Sequence, residues 1–201
     1  MLHSSLSKLG YVEGGAETVI TAFLEILDKD GTLVMPSFPA IGFNYDYLKT
    51  NPTFDILHTP SKMGVITEVF RKMKGVKRSF HPTDAVCAIG KQVDYLIKDH
   101  FNQLTPYNQS SPFYRMVELK AKIILMGVDL NSLTNFHTLE DAMPNFVYPV
   151  YHHTIFNTQV INENGENINM KTTVHNPILN DVIKPASVKG LIKSLHFLFL
   201  E

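Results

Sequence analysis

Short apolar runs of strand length alternate along this chain with segments of helical period, and that alternation limits the folds it can adopt. The runs at 32–35, 84–89 and 122–128 ("TLVM", "DAVCAI" and "KIILMGV") lack the in-out alternation of a half-solvated strand, so both of their faces need cover. Between them, Ala16, Val19, Ile20, Phe23, Leu24 and Leu27 recur at i, i+3, i+4 spacing. Val65, Ile66, Val69, Phe70 and Met73 make a second apolar face, with Thr59 placed to cap and Pro60 suited to a first turn. "KQVDYLIKDH" reads as another helix, "SSPFYRMVEL" repeats the cap-and-proline pattern, and "LTNFHTLEDAM" is helical again. The expectation is an α/β fold: the three runs in one sheet, with helices near 16–27, 61–73 and 134–142 packed on it. After Pro149 the pattern changes. Alternating stretches on either side of Asn164-Gly165 predict a β-hairpin. With no repeat, low-complexity segment or linker, residues 1–201 read as one domain, about 144–201 being the hairpin and a divergent tail.

Composition removes several classes of function. At 201 residues, 44% hydrophobic and 18% charged, the chain can bury a core and is not of disordered type. A formal net charge of −1 argues against a nucleic-acid partner. No run approaches the roughly 20 apolar residues that a membrane span needs, and the opening lacks a signal-peptide core. The single cysteine, Cys87, cannot form an internal disulfide, and within "AVCAIG" it reads as a small buried hydrophobe. A cytoplasmic location is expected.

The motifs narrow the chemistry by elimination. There is no G-x-S-x-G, no H-E-x-x-H, no paired cysteines and no Walker or dinucleotide fingerprint. His152 and His153, as adjacent strand residues, would point to opposite faces, so no metal is expected. Three stretches remain. "HSSLSK" with Gly14 and Gly15 ahead of the first helix offers hydroxyls and free amides to a pyrophosphate, or merely a tight turn. "KGVKRSFHP" crowds Lys74, Lys77 and Arg78 ahead of Ser79 and His81, fitting either an anionic cofactor or a solvated face. In "NFHTLEDAM", His137 precedes Glu140 at i+3 and Asp141 at i+4. That spacing suits a base oriented by an acid, and equally a surface histidine beside ordinary charges.

These stretches together resemble one family. "HSSLSKLGYVEGGAETVITAFLEIL" followed by "GTLVMPSF" is similar to the start of the aminoglycoside 3-N-acetyltransferase family. "TPSKMGVITEVFRKMKGVKRSFHPTDAVCAIG" resembles its middle block, with the R-S-x-H-P element. "SPFYRMVELKAKIILMGV" and "TNFHTLED" resemble its later block, where Thr-Ser-x-His-x-x-Glu stands. The resemblance runs over about residues 3–143. It implies a three-layer α/β/α fold with a mixed sheet. It also implies acetyl-CoA as co-substrate and a small-molecule amine on an aminoglycoside-type sugar as acceptor.

Carried over by position, His137 matches the active-site histidine and Glu140 its carboxylate partner. Thr134 matches the family threonine on the substrate side, while Asn135 stands where serine is usual. Ser4, Ser5, Leu6 and Ser7 match the segment that meets coenzyme A, and Arg78, Ser79 and His81 the block flanking it. Asp141 is a second-rank candidate for a substrate amine. The implied activity is direct acetyl transfer with a histidine base and without metal. Two alternatives stand beside it: an N-acyltransferase for a nucleotide-linked amino sugar in surface-polysaccharide synthesis, and an inactive, truncated coenzyme A-binding paralogue. The paralogue reading is motivated by the flanks. The family's strand and helix before "HSS" and its further sheet after the hairpin are expected to have no counterpart here, and "VIKPASVKGLIKSLHFLFLE" does not resemble its end. A homodimer is left open.

Overall fold

The computed structural model describes residues 1–101, 103–143, 146 and 149–177. In chain order the elements are β1 (Leu2–Ser4), α1 (Gly15–Leu27), β2 (Thr32–Pro36), α2 (Asn44–Thr50), β3 (Thr53–Asp55), α3 (Val65–Lys72) and β4 (Lys77–Arg78). There follow β5 (Val86–Gly90), α4 (Val93–Ile97), α5 (Pro112–Glu118), β6 (Ile124–Met126), α6 (Thr138–Ala142), β7 (Phe156–Ile161) and β8 (Asn167–Thr172).

The apolar runs at β2 and β5 pair antiparallel, with Val34 opposite Ala88 and Met35 opposite Cys87, and β4 adds on β5's other edge. Because strand side chains alternate, the ladder feeds two cores. Leu33, Met35 and Cys87 pack with Ala16, Ile20, Ile66 and Phe70 from α1 and α3. Val34, Val86 and Ala88 pack with Val93, Leu96, Phe113 and Met116 from α4 and α5. Helices therefore cover both faces of this sheet, the α/β layering expected. Burial also raises the Cys87 pKa, keeping it the inert thiol its context suggested.

Three details differ from expectation. The run at 122–128 does not join the β2–β5 ladder; among the described residues there are three sheets, and β6 pairs in parallel with β1. Leu2-His3-Ser4 is too short for periodicity to reveal, yet it takes up the backbone groups of β6. The second helix begins at Val65, not near 61, after Gly64 at φ +105°, and the Thr59 hydroxyl accepts from the Asp55 amide instead of capping it. The helix near 134–142 is a 3-10 turn over Thr134–His137 followed by α6. The cap at Ser111 is as read: its hydroxyl accepts from the Tyr114 amide, with Pro112 in the first turn.

The hairpin is present as β7 and β8, and Gly165 takes the left-handed position (φ +81°) where the turn opens at Asn162. β7 also pairs in parallel with β3. The divergent tail over 182–201 lies outside the described residues. Among the described residues no helix is long and apolar enough to cross a membrane.

Two fully buried histidines stack beside the ladder, His81 on His100 with ring centroids 4.7 Å apart. Burial pushes both below the usual histidine range, His100 to about 4, with Arg115 adding to the effect and the Pro106 carbonyl opposing it. The unfolded chain therefore binds more protons than the folded one between the ordinary and the lowered pKa. Stability should fall as pH drops from about 6.5 to about 4, by roughly 3 kcal/mol for His100 alone. Urea unfolding followed across that window checks this. His100→Gln should flatten part of the slope, and a stability independent of pH there would show the histidines are not held neutral.

Candidate active site

The site is built where β1 ends. The Ser5 amide donates to the Met126 carbonyl at 3.0 Å, continuing the β1–β6 ladder by one bond before the chain turns into a 3-10 segment, Leu6–Lys8. Gly127, just past β6, permits this turn. Its φ is +70°, and an added Cβ would lie 2.9 Å from both the Ser5 carbonyl oxygen and Lys8 Cβ. The Ser5 and Ser7 hydroxyls sit 3.2 Å apart. Ser4 to Ser7 line a cleft of about 670 Å³ together with the loop after β2 from Phe38 to the first residue of α2, Asn44, and the segment from Lys62 to the first residue of α3, Val65. Its remaining wall is Asp84, Tyr107, Thr134 and His137.

His137 stands at the junction of the 3-10 turn and α6, which places Glu140 one turn beyond it. Its Nδ1 lies 2.9 Å from Glu140 Oε2, so the pair read from i,i+3 spacing forms. The same oxygen also meets Nε2 of His175 at 2.8 Å. Burial alone would raise the Glu140 pKa, but the hydrogen bonds to His137 and His175 outweigh it and hold the carboxyl at about 2. His175 follows β8 and bridges to Tyr151, whose ring stacks on it at 4.9 Å. Tyr107 stacks on His175 at 5.5 Å and tilts against His137 at 5.0 Å.

Tyr107 donates to Asp84 Oδ1 at 2.7 Å, and Asp84 Oδ2 accepts from the Thr83 hydroxyl at 2.6 Å and Asn44 Nδ2 at 3.3 Å. Burial, reinforced by the Asp84 charge, pushes the Tyr107 pKa well up, so its hydroxyl remains a donor. The cleft lining thus offers serine hydroxyls, the Lys62 ammonium, a carboxylate and an imidazole.

Of the sequence candidates, Ser4, Ser5, Leu6, Ser7, Thr134 and His137 come together in this cleft, with Glu140 directly behind. Arg78, Ser79 and His81 do not line it. The buried Arg78 donates to the carbonyls of Ser37 at 2.5 Å and Thr59 at 2.6 Å, and its guanidinium lies 4.4 Å over the Phe54 ring. Ser79 Oγ accepts from the Val86 amide at 2.9 Å and meets His100 Nδ1 at 3.0 Å. His81 Nδ1 accepts from the amides of Thr83 at 3.3 Å and Asp84 at 3.1 Å. Ser79 and His81 brace the turn that presents Asp84, and Arg78 ties together the segments that follow β2 and β3. Gly14 and Gly15 form a tight turn away from the cleft lining, both at positive φ. Asp141 also lies outside that lining, its carboxyl raised chiefly by burial.

Sequence reasoning missed Asp84, Tyr107, Lys62 and His175. An acid opening a buried strand after His81-Pro82 could have pointed to Asp84. Nothing local marks His175, which is 35 residues from Glu140. The ligand atoms of His137, Glu140 and His175 lie within 4.8 Å of one another, a grouping able to hold a metal ion.

Comparison with known proteins bears on this geometry. The family model described as aminoglycoside 3-N-acetyltransferase matches residues 1–187. The SPbeta prophage-derived aminoglycoside N(3')-acetyltransferase-like protein YokD of Bacillus subtilis is 32% identical over 160 residues, 72% of this chain and 58% of that protein. Aminoglycoside N(3)-acetyltransferase IV of a Salmonella species is 33% identical over 153 residues, 76% of this chain and 55% of that protein. The chain thus spans a little over half the length of these relatives. The crystal structure of YokD superposes with a TM-score of 0.71 at 28% identity, covering 89% of this chain and 70% of that one.

The Asp84–Tyr107 bond makes a direct forecast. Tyr107→Phe keeps the ring but leaves a buried carboxylate oxygen without its donor, a loss of roughly 1–3 kcal/mol. Urea unfolding of the variant measures it, and an unchanged midpoint would show that the bond adds nothing.

Proposed function

Because the chain belongs to the aminoglycoside 3-N-acetyltransferase family, as its match over residues 1–187 shows, we propose that it transfers an acetyl group from acetyl-CoA to an amine of an aminoglycoside-type sugar, with His137 as general base. The observation that carries this is the 2.9 Å contact between His137 Nδ1 and Glu140, made while His137 lines the cleft. With Nδ1 engaged, Nε2 is the nitrogen left for a substrate. The buried carboxylate fixes the tautomer and stabilises the imidazolium that forms.

The acceptor enters as an ammonium ion and loses one proton to solvent before it can attack. Its nitrogen then adds to the thioester carbonyl. His137 Nε2 takes the second proton, the C–S bond breaks, and that proton passes to the departing thiolate. No cysteine lines the cleft, which favours this direct route over an acyl-enzyme. Ser4, Ser5 and Ser7, with Lys62 in the same cleft lining, suit the pyrophosphate arm of coenzyme A. In the same lining, Asp84 supplies a carboxylate for a substrate ammonium group and Thr134 a hydroxyl.

One observation favours the nucleotide-linked amino sugar as a second reading. Among the described residues the cleft lining pairs one cation, Lys62, with one carboxylate, Asp84, whereas a polycationic acceptor selects an acidic wall. An amine panel containing both acceptor types decides between them.

Thiol release from acetyl-CoA tests the base. His137→Gln should keep coenzyme A affinity while lowering the transfer rate by roughly 100- to 10,000-fold. Glu140→Gln should cost less, since the imidazole remains. Near-normal turnover in His137→Gln would place the chemistry elsewhere. Calorimetric titration with coenzyme A tests the other wall: Lys62→Ala should weaken binding, and a folded protein that binds no coenzyme A would sink the donor assignment.

A further inference from the structure

We propose that His137, Glu140 and His175 form a binding site for a divalent transition-metal ion of the zinc class. His137 Nδ1 lies 2.9 Å from Glu140 Oε2, His175 Nε2 lies 2.8 Å from the same atom, and all three atoms fall within 4.8 Å of one another. Each contact aims a ring nitrogen at one oxygen, so the two nitrogen axes converge. Without metal, a proton occupies each axis. Moved to the other nitrogen of its ring, it leaves a lone pair pointing the same way.

Two imidazoles and a carboxylate are a donor set that zinc accepts, with ligand atoms about 2.0–2.2 Å from the ion and hence roughly 3.3 Å apart. The ion would take the place where the two nitrogen axes meet, the Glu140 oxygen moving off those axes to become the third ligand. Three protein ligands leave a fourth position for water. The His137 side chain is 33% exposed and that of His175 17%, so an ion can reach a carboxylate that is itself buried. Tyr151 and Tyr107 stack against His175 and hold its ring plane. Magnesium and calcium, which prefer all-oxygen shells, do not suit these donors.

Occupancy would also silence the reaction, a consequence that rests on His137 being the base. Metal on Nδ1 confines the neutral ring's proton to Nε2, and the nitrogen facing the cleft then has no lone pair. Zinc would thus block transfer without entering the substrate cleft, and chelation would restore it.

The test is calorimetric titration of zinc chloride into the chelator-treated whole chain, beside the transfer assay. One equivalent should bind. His175→Gln and Glu140→Gln, each verified as folded by circular dichroism, should lose on the order of 100-fold in affinity or more, beyond the usual effect of an outer partner. His152→Gln, outside the cluster, should bind zinc as the parent does, and magnesium chloride should give no binding heat. Failure of the folded protein to bind zinc stoichiometrically overturns the site, as does unchanged affinity in both ligand variants. Zinc binding that leaves transfer untouched supports the site and refutes His137 as the base. Transfer by a protein that binds no zinc refutes the site alone.

Discussion

Burial of both faces of the β2–β5 ladder is the constraint on which the other elements depend. Leu33, Met35 and Cys87 on one side and Val34, Val86 and Ala88 on the other are each less than 5% exposed. Covering a large aliphatic side chain is worth about 1.5–3 kcal/mol, so neither face can be left to water. That demand brings α1 and α3 to one side and α4 and α5 to the other. It also fixes the height at which β5 begins, and hence where the preceding turn delivers Asp84.

A polar layer grows from that turn and ties the ladder to the cleft. Arg78 spends its guanidinium on backbone carbonyls, and His81 accepts the amides of Thr83 and Asp84. Asp84 then gathers Tyr107, Thr83 and Asn44, and Tyr107 lies against both His137 and His175. Buried polar groups without partners are costly, so such a network rigidifies whatever it satisfies. Arg78, Ser79 and His81 stand behind the cleft lining, and His81 holds the turn that carries Asp84.

Glu140 is the point where stability and chemistry meet. A carboxylate 8% exposed is tolerated because two imidazoles share one of its oxygens. The same sharing orients His137 toward the cleft in the proposed reaction, and in the proposed metal site it supplies the third ligand. Both proposals draw on one geometric fact, the convergence of two ring nitrogens on Oε2.

Local patterns in the chain determined much of this. Uninterrupted apolar runs with helical stripes between them specify strands covered on both faces, whichever partners they take. Ser111-Pro112 fixes a helix start, Asn164-Gly165 a hairpin, and His137 with Glu140 a contact within one helical turn, because each depends on neighbours a few residues away. Strand partnership was not legible: β6 reads as a sister of β2 and β5, yet it pairs with β1, a three-residue strand with no period to detect. Nor was burial at Arg78, Ser79 and His81, since a basic, histidine-bearing turn reads the same whether solvent or the interior surrounds it. Asp84, Tyr107 and His175 reach the site from separate parts of the chain, and only packing against the two-faced ladder brings them within hydrogen-bonding and stacking distance of one another. The sequence carries what is local in range, and the tertiary structure decides what depends on long-range closure.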